Sequence, residues 1–151
     1  MKIREAMHFD LPVLASMEKQ LFSDSPWSMG QFKEEFAGVP KTRIFYVATD
    51  EGNHIIGYAG VLVVAPGVEA DVLTVGVLPQ SQKQGIATAF MQRLEEWSAS
   101  KGAPAMMLEV GVNNAPAIAL YQKLGYANIS TRRDYYGPGL DAFVMRKELN
   151  S

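Results

Sequence analysis

The chain has 151 residues, which fits one domain, and 48% of them are hydrophobic, enough for a substantial core. A formal net charge of −2 argues against a protein that binds nucleic acid through phosphate contacts, since such domains are usually strongly basic. The absence of cysteine excludes disulfides, thiolate nucleophiles and zinc sites built on thiolates. Without a bilayer-spanning apolar run or a signal peptide, we expect a soluble cytoplasmic protein with no membrane partner; the sequence carries no signal of its oligomeric state.

The first half of the chain predicts a strand, two helices and two strands. Asp10 is a candidate N-cap for the first helix, whose apolar residues recur at helical spacing, and Ser28 is a candidate N-cap for the second. From Arg43 the period changes to that of strands. The predicted strands are Lys2–Glu5, Ile44–Ala48 and Ile55–Val64, and the helices run from Leu11 to Phe22 and through Phe32 and Phe36.

The second half alternates strands and helices before two final strands. Gly76, inside the first of these strands, indicates a bulge or the close approach of another backbone. The predicted elements are the strands Ala70–Leu78, Ala105–Val110, Ala127–Arg133 and Asp141–Lys147 and the helices Gln84–Ser100 and Asn114–Leu124. This order, β-α-α-β-β-β-α-β-α-β-β, is that of a mixed α/β domain. Helices follow the fourth and fifth strands, where a ligand crevice can open.

The segment from Val77 to Thr88 joins a strand to a helix. A helix start exposes unpaired N–H groups with partial positive charge, and Gly85 lets the backbone approach a ligand closely. Such a loop suits a pyrophosphate, with Lys83 adding a charge and Thr88 a hydroxyl. It matches neither GxxxxGK[ST] nor GxGxxG, and a solvated helix start is the alternative interpretation.

The stretch Gln82–Ala87 resembles the (Arg/Gln)-x-x-Gly-x-(Gly/Ala) motif of the GNAT acetyltransferases. The resemblance continues, in order and spacing, through Leu108–Val110, Asn113–Tyr121 and Leu124–Tyr126. It implies one N-acetyltransferase domain over residues 1–151, with a mixed, mostly antiparallel sheet of about seven strands and about four helices. It also implies acetyl-CoA as cosubstrate, with no metal. The implied cofactor-binding residues are Val75, Val77, Gln82, Lys83, Gln84, Gly85, Ile86, Ala87, Thr88, Asn114 and Tyr121.

Two residues are candidates for the chemistry. Glu109 lies in an apolar run, where alternation would also allow an outward-facing position; the resemblance implies a general base, acting directly or through water. Tyr121 has helical spacing typical of a core residue, and the resemblance implies a general acid for the CoA thiolate. The Val77 N–H is a candidate oxyanion donor. Asn114 is a candidate N-cap, and the resemblance implies that it also holds the pantetheine arm.

Within the superfamily, the chain is most similar to the bacterial ribosomal-protein N-terminal-alanine acetyltransferases. The similarity is carried by Pro26–Ser28, Leu108–Val110, Arg132–Tyr136 and Asp141–Ala142, whereas Gly111 stands where that subgroup usually has arginine. The similarity implies a protein or peptide N-terminus, such as that of a ribosomal protein, as acceptor. The implied acceptor-binding residues are Trp27, Glu109, Tyr135 and Tyr136. Covering the core edge is the alternative role for the two tyrosines.

Two other functions stay open from the sequence. One is acetylation of lysine side chains or of small amines such as polyamines or antibiotics, which would use the same cofactor chemistry. The other is a noncatalytic acyl-CoA-binding module, which would need neither Glu109 nor Tyr121. His8 and His54 lie far apart without clustered acids, so no metal site is predicted. The pair Arg132–Arg133 is either a solvated face or a contact for an acidic partner.

Overall fold

A computed structural model describes residues 1–149 of the chain, so the last two residues of the predicted domain lie outside the described residues. Seven strands form one sheet: β1 (Lys2–Glu5), β2 (Arg43–Thr49), β3 (Ile55–Leu62), β4 (Ala70–Val77), β5 (Ala105–Gly111), β6 (Ala127–Arg132) and β7 (Ala142–Glu148). Four α-helices flank it: α1 (Leu11–Leu21), α2 (Met29–Phe36), α3 (Ile86–Ser100) and α4 (Ala115–Lys123). The predicted α/β class, the element order and the strand and helix numbers are confirmed.

The strand order is β1-β2-β3-β4-β5-β7-β6. Every neighbouring pair is antiparallel except β4 and β5, which are parallel. The β4–β5 pairing covers only Ala70 with Met106 and Asp71 with Met107. Beyond these pairs the two strands are not hydrogen-bonded to each other, although β4 runs on to Val77 and β5 to Gly111. A gap therefore opens in the middle of the sheet, at the carboxyl ends of these two strands.

Two apolar clusters lie on opposite faces of the sheet. Alternate residues of β2 divide between them, because successive side chains of a strand point to opposite faces: Ile44 and Tyr46 join one cluster, and Phe45 and Val47 join the other. The first cluster packs beneath α3 and includes Tyr121 of α4. The second packs beneath α1 and α2. The sheet is thus covered on both faces, and the gap between β4 and β5 lies between two covered layers.

Two helix starts differ from their predictions. Helix α3 begins at Ile86, because Gly85 before it is left-handed with φ of +82° and Lys83 also has a positive φ. Asp10 precedes α1 but makes no side-chain cap there. Its carboxylate instead accepts the Met7 N–H at 2.7 Å and pairs with the Arg4 guanidinium at 2.8 Å. Ser28 does cap α2, accepting the Gln31 N–H at 3.1 Å.

Among residues 1–149, no helix is both long and apolar enough to cross a membrane.

Candidate active site

A cavity of about 810 Å³ occupies the gap between β4 and β5. Its walls come from the two separated strands, the connection between α1 and α2, the start of α4 and the segment between β6 and β7. The cavity brings together seven of the predicted site residues: Trp27, Val75, Glu109, Asn114, Tyr121, Tyr135 and Tyr136. Val77 and the segment Gln82–Thr88 do not line it: Val77 is the last residue of β4, and the segment extends from the turn after β4 into the first turn of α3.

The main chain of β4 has unpaired amides on the side of the gap. Backbone groups of successive strand residues point to opposite edges of the strand. The Leu78 N–H donates to the Ile56 carbonyl on the β3 side at 2.9 Å, so the amides of Val75 and Val77 face the other edge. Among residues 1–149, no strand pairs with that edge beyond Asp71. These two amides can therefore donate to a ligand that lies in the gap.

The loop after β4 presents further amides at the start of α3. No side chain caps this helix, and its first backbone bond to the loop runs from the Ala89 N–H to the Gly85 carbonyl at 3.0 Å. A Cβ built on Gly85 would meet no atom within 4 Å, so the space above this amide is open. The Gln82 side chain folds back and donates to the Val77 carbonyl at 3.0 Å. This arrangement fits a phosphate-containing group, because free helix N–H groups and the helix dipole favour an anion there.

Glu109 faces the cavity from β5, with its side chain 17% exposed. Burial raises the pKa of the Glu109 carboxyl, and the neighbouring Asp71 carboxylate raises it further. The Arg132 guanidinium, 3.3 Å away on β6, and the Tyr135 hydroxyl lower the same pKa. A carboxylate whose pKa is raised in this way is a stronger proton acceptor than an exposed one. Glu109 can thus act as a base towards a group in the cavity.

Tyr121 lines the cavity from α4, and only 9% of the residue is exposed. Burial raises the pKa of the Tyr121 hydroxyl to about 12, so the hydroxyl keeps its proton at neutral pH. Its ring packs edge-on against Tyr126, with centroids 6.0 Å apart. At the start of the same helix, Asn114 accepts the Ala117 N–H at 3.3 Å and also lines the cavity. The predicted N-cap role of Asn114 is confirmed.

Aromatic side chains line part of the cavity. Trp27 packs on Phe32, with ring centroids 5.1 Å apart. Tyr136 donates a long hydrogen bond of 3.4 Å to the Glu109 carbonyl, and Tyr135 lies edge-on against it at 4.9 Å. A Cβ built on Gly111 would lie 3.9 Å from the Tyr136 ring. Because Gly111 has no side chain, the space beside Tyr136 stays open.

Sequence reasoning missed two groups of this site. Glu18 of α1 is 3% exposed and lines the cavity. Glu18 could have been found from the sequence, because it is a charged residue at helical spacing from Leu11, Leu14 and Leu21, on the apolar face of α1. Arg132 is not purely solvated, because it pairs with Glu109 and lies over the Tyr135 ring at 4.9 Å. Within residues 1–149, no three His, Asp or Glu side chains cluster as metal ligands.

Comparison with known families and structures finds one family. A statistical model of the acetyltransferase (GNAT) family matches residues 11–126, which extend from the start of α1 to just beyond α4. The match includes the loop Gln82–Thr88 and, from the cavity, Trp27, Glu109 and Tyr121.

Relatives agree with this match. The N-alpha-acetyltransferase RimI of Mycobacterium tuberculosis is 36% identical over 138 residues, covering 89% of this chain and 84% of the relative. The ribosomal protein bS18-alanine N-acetyltransferase of Escherichia coli K12 is 31% identical over 127 residues, covering 84% and 81%. The crystal structure of the Escherichia coli enzyme has a TM-score of 0.85 at 28% identity, covering 99% of this chain and 94% of that chain. Arabidopsis thaliana NAA60, crystallised with acetyl-CoA, shares the fold with a TM-score of 0.87 at 20% identity, covering 99% of both chains.

Proposed function

Because the chain belongs to the acetyltransferase (GNAT) family and is an N-acetyltransferase, we propose that it transfers the acetyl group of acetyl-CoA to the N-terminal α-amine of a protein. The observation that carries this proposal is the presence of a carboxylate, Glu109, and a protonated phenol, Tyr121, in one cavity at the β4–β5 gap. An acyl transfer to an amine needs one group that accepts a proton and benefits from one that donates a proton.

The donor end of the site consists mainly of backbone groups. The pyrophosphate of acetyl-CoA would lie against the amides from Gln84 to Thr88, with Gln82 and Lys83 at its edge. The pantetheine arm would follow β4, bonded by the Val75 amide and the Asn114 side chain. The Val77 N–H would donate to the thioester oxygen as negative charge develops on it. The uncapped start of α3 and the unpaired amides of β4 support this placement.

Two residues of this chain account for the proton transfers of the proposed reaction. The amine nitrogen forms a bond with the acetyl carbon, and the bond between that carbon and the CoA sulfur breaks. Glu109 takes the proton that the amine loses, directly or through water. Tyr121 gives its proton to the departing thiolate. An α-amine has a pKa of about 7.7–8.0, against about 10.4 for lysine, so an N-terminus is the easier amine to deprotonate near neutral pH.

The acceptor end favours a peptide. Trp27, Tyr135 and Tyr136 line the same cavity as Glu109 and would offer aromatic contacts to a peptide main chain. By likeness to the Escherichia coli relative, the N-terminal alanine of a ribosomal protein is the proposed acceptor. Gly111 favours a second candidate, a lysine side chain or small amine, because the open space beside Tyr136 would admit other shapes.

A peptide panel tests the acceptor. Peptides beginning with alanine or serine should react faster than the same peptides with a blocked N-terminus and one internal lysine. Faster turnover of the blocked peptides, or of spermidine, would instead support the second candidate, a lysine side chain or a small amine as acceptor. No turnover with any amine, despite measurable acetyl-CoA binding, would instead indicate a noncatalytic binding module.

A further inference from the structure

Glu18 is a buried carboxylate for which the proposed reaction has no use. Its two oxygens accept three hydrogen bonds: Oε2 from the Tyr58 hydroxyl at 2.5 Å and the Thr74 hydroxyl at 3.2 Å, and Oε1 from the Trp27 N–H at 3.3 Å. Among the described residues it forms no ion pair. All of its partners are uncharged donors, so this carboxylate is held by hydrogen bonds alone.

The three donors belong to three different parts of the fold. Tyr58 lies on β3, Thr74 on β4, and Trp27 on the connection between α1 and α2. The Tyr58 ring has a fixed place, because it fills the position that a Cβ of Gly76 would take. This accounts for the glycine inside β4, where a side chain and not another backbone approaches. The Glu18 carboxylate therefore ties the α1–α2 connection to the two central strands.

That connection is one wall of the cavity. Its exposed residues Ser23, Asp24 and Ser25 line the space together with Trp27 and Glu109. The indole of Trp27 packs against the Phe32 ring, tilted by 59°, whereas the hydrogen bond from its backbone N–H to Glu18 fixes the main chain. The position of this wall depends on both contacts.

Stability alone does not account for a carboxylate here. Burying a charge is costly even when it is hydrogen-bonded, and an apolar side chain would continue the buried face formed by Leu14 and Met17. We propose that Glu18 is a positioning residue for the acceptor: its carboxylate holds the Trp27 main chain against β4 and so sets the wall that the acceptor's first residue contacts. The inference rests on the proposed function, since it assigns the acceptor to this cavity.

Two substitutions at position 18 separate the hydrogen bonds from the charge. Glu18→Met keeps the length of the side chain and removes every acceptor. Glu18→Gln loses the charge, but its amide oxygen can still accept the Trp27 N–H while its NH₂ donates to a hydroxyl. Tyr58→Phe is the matched control, because it disturbs the same buried carboxylate and leaves the bond to Trp27 in place.

Kinetics with a short peptide that begins with alanine test the role. We expect Glu18→Met to raise the KM for the peptide about tenfold, the usual effect of one hydrogen bond to a charged group, without changing the KM for acetyl-CoA. Glu18→Gln should restore the peptide KM to within about threefold of wild type. If Glu18→Met leaves the peptide KM unchanged, or if Tyr58→Phe raises the peptide KM as much as Glu18→Met does, Glu18 has only a structural role. A Gln variant as impaired as the Met variant would show that the charge itself binds the acceptor and would overturn the positioning role.

A second measurement does not depend on which amine is the acceptor. In a Trp97→Phe background, Trp27 is the remaining tryptophan of the chain, and its fluorescence reports the position of the wall. Glu18→Met should make the indole more accessible to acrylamide, whereas Tyr58→Phe should not. Unaltered quenching in Glu18→Met overturns the inference, whereas failure of the peptide assay with wild-type enzyme concerns only the proposed function. If Glu18→Met does not fold, Glu18→Asp, one methylene too short for its three donors, replaces it in both measurements with the same expected result.

Discussion

The two ends of the site differ in what they are made of. The donor end, from β4 through Gln82–Thr88, offers backbone amides from one continuous stretch of chain. The acceptor end offers side chains from distant segments, among them Glu18, Trp27 and Glu109. A backbone site depends on local conformation and keeps its donors at every pH. A side-chain site depends on the tertiary fold and on the protonation of its carboxylates, so the two ends should fail in different ways.

Loss of the proposed base should have the largest effect. Glu109→Gln keeps the shape of the side chain and removes its capacity to accept a proton, so kcat/KM should fall about 10²–10⁴-fold. The deficit should shrink as pH rises, because more of the acceptor amine is then already neutral. Acetyl-CoA affinity should stay near that of wild type, since the donor end is backbone. A pH–rate profile parallel to that of wild type would contradict the base role.

The neighbouring carboxylate supplies the control for this test. Asp71→Asn removes the same charge from the adjacent strand, where Asp71 acts on Glu109 only through its field. We expect a far smaller loss of kcat/KM for Asp71→Asn than for Glu109→Gln. Equal losses in the two variants would mean that the cavity needs negative charge and not a specific proton acceptor.

A substitution of Tyr121 tests the proposed acid, which lies where the donor and acceptor ends of the site meet. Tyr121→Phe deletes only the hydroxyl and should lower kcat by about 10²-fold, the low end for a positioned acid, because water can partly protonate a thiolate. The KM for acetyl-CoA should change less, since the interaction forms mainly in the transition state. Tyr126→Phe, which removes a hydroxyl bonded to Glu95 beside the same ring, is the control. If kcat stays at the wild-type value while chemistry is rate-limiting, Tyr121 is a packing residue.

Gly85 tests the backbone end without touching a titratable group. A valine there would place its side chain in the open space over the loop amides, and acetyl-CoA affinity should fall about tenfold or more in calorimetry. Gly67 is a matched control: it has φ of +86° against +82° for Gly85, and its Cβ position is equally open, but it lies outside the site. Both valines should destabilise the fold by about 1–3 kcal/mol through backbone strain. Only Gly85→Val should weaken binding, and unchanged affinity would contradict the phosphate site.

The same contrast explains what the sequence could predict. The loop and the strands and helices around it are local patterns, so the order of elements and the stretch Gln82–Thr88 could be recognised directly. The acceptor end could be recognised only in part: the resemblance implies Trp27, but Glu18 reaches the Trp27 main chain through helix packing, and Arg132 reaches Glu109 through sheet pairing. Asp10 shows the same limit: a residue suited to capping is instead buried against Arg4, a contact that depends on how β1 meets the following turn. Likewise α3 starts two residues late, because the left-handed backbone conformations of Lys83 and Gly85 are not visible in apolar periodicity.

Substitution of Arg132 should have the smallest effect, and this effect should be confined to the acceptor end. Its guanidinium lowers the pKa of Glu109, against the larger effect of burial. Arg132→Ala should therefore raise the pKa of Glu109. Because a base must be deprotonated to act, the acidic limb of kcat/KM should move to higher pH. The plateau at high pH should change no more than a few-fold, since an ion pair with one partner 56% exposed contributes only about 0.2–1 kcal/mol.

Arg133 provides the matched comparison for this last change. It is the exposed neighbour of Arg132, and it is not among the groups that shift the pKa of Glu109. Arg133→Ala removes the same charge from the chain, so it corrects for the general field of the protein. The acidic limb should move in Arg132→Ala and stay in place in Arg133→Ala, and raised salt should shrink the difference, because exposed pairs are screened. An acidic limb that does not move in Arg132→Ala would mean that the pH dependence of the rate reports a titrating group other than Glu109. The titrating acceptor end, in contrast to the pH-independent donor end, would then depend on another residue.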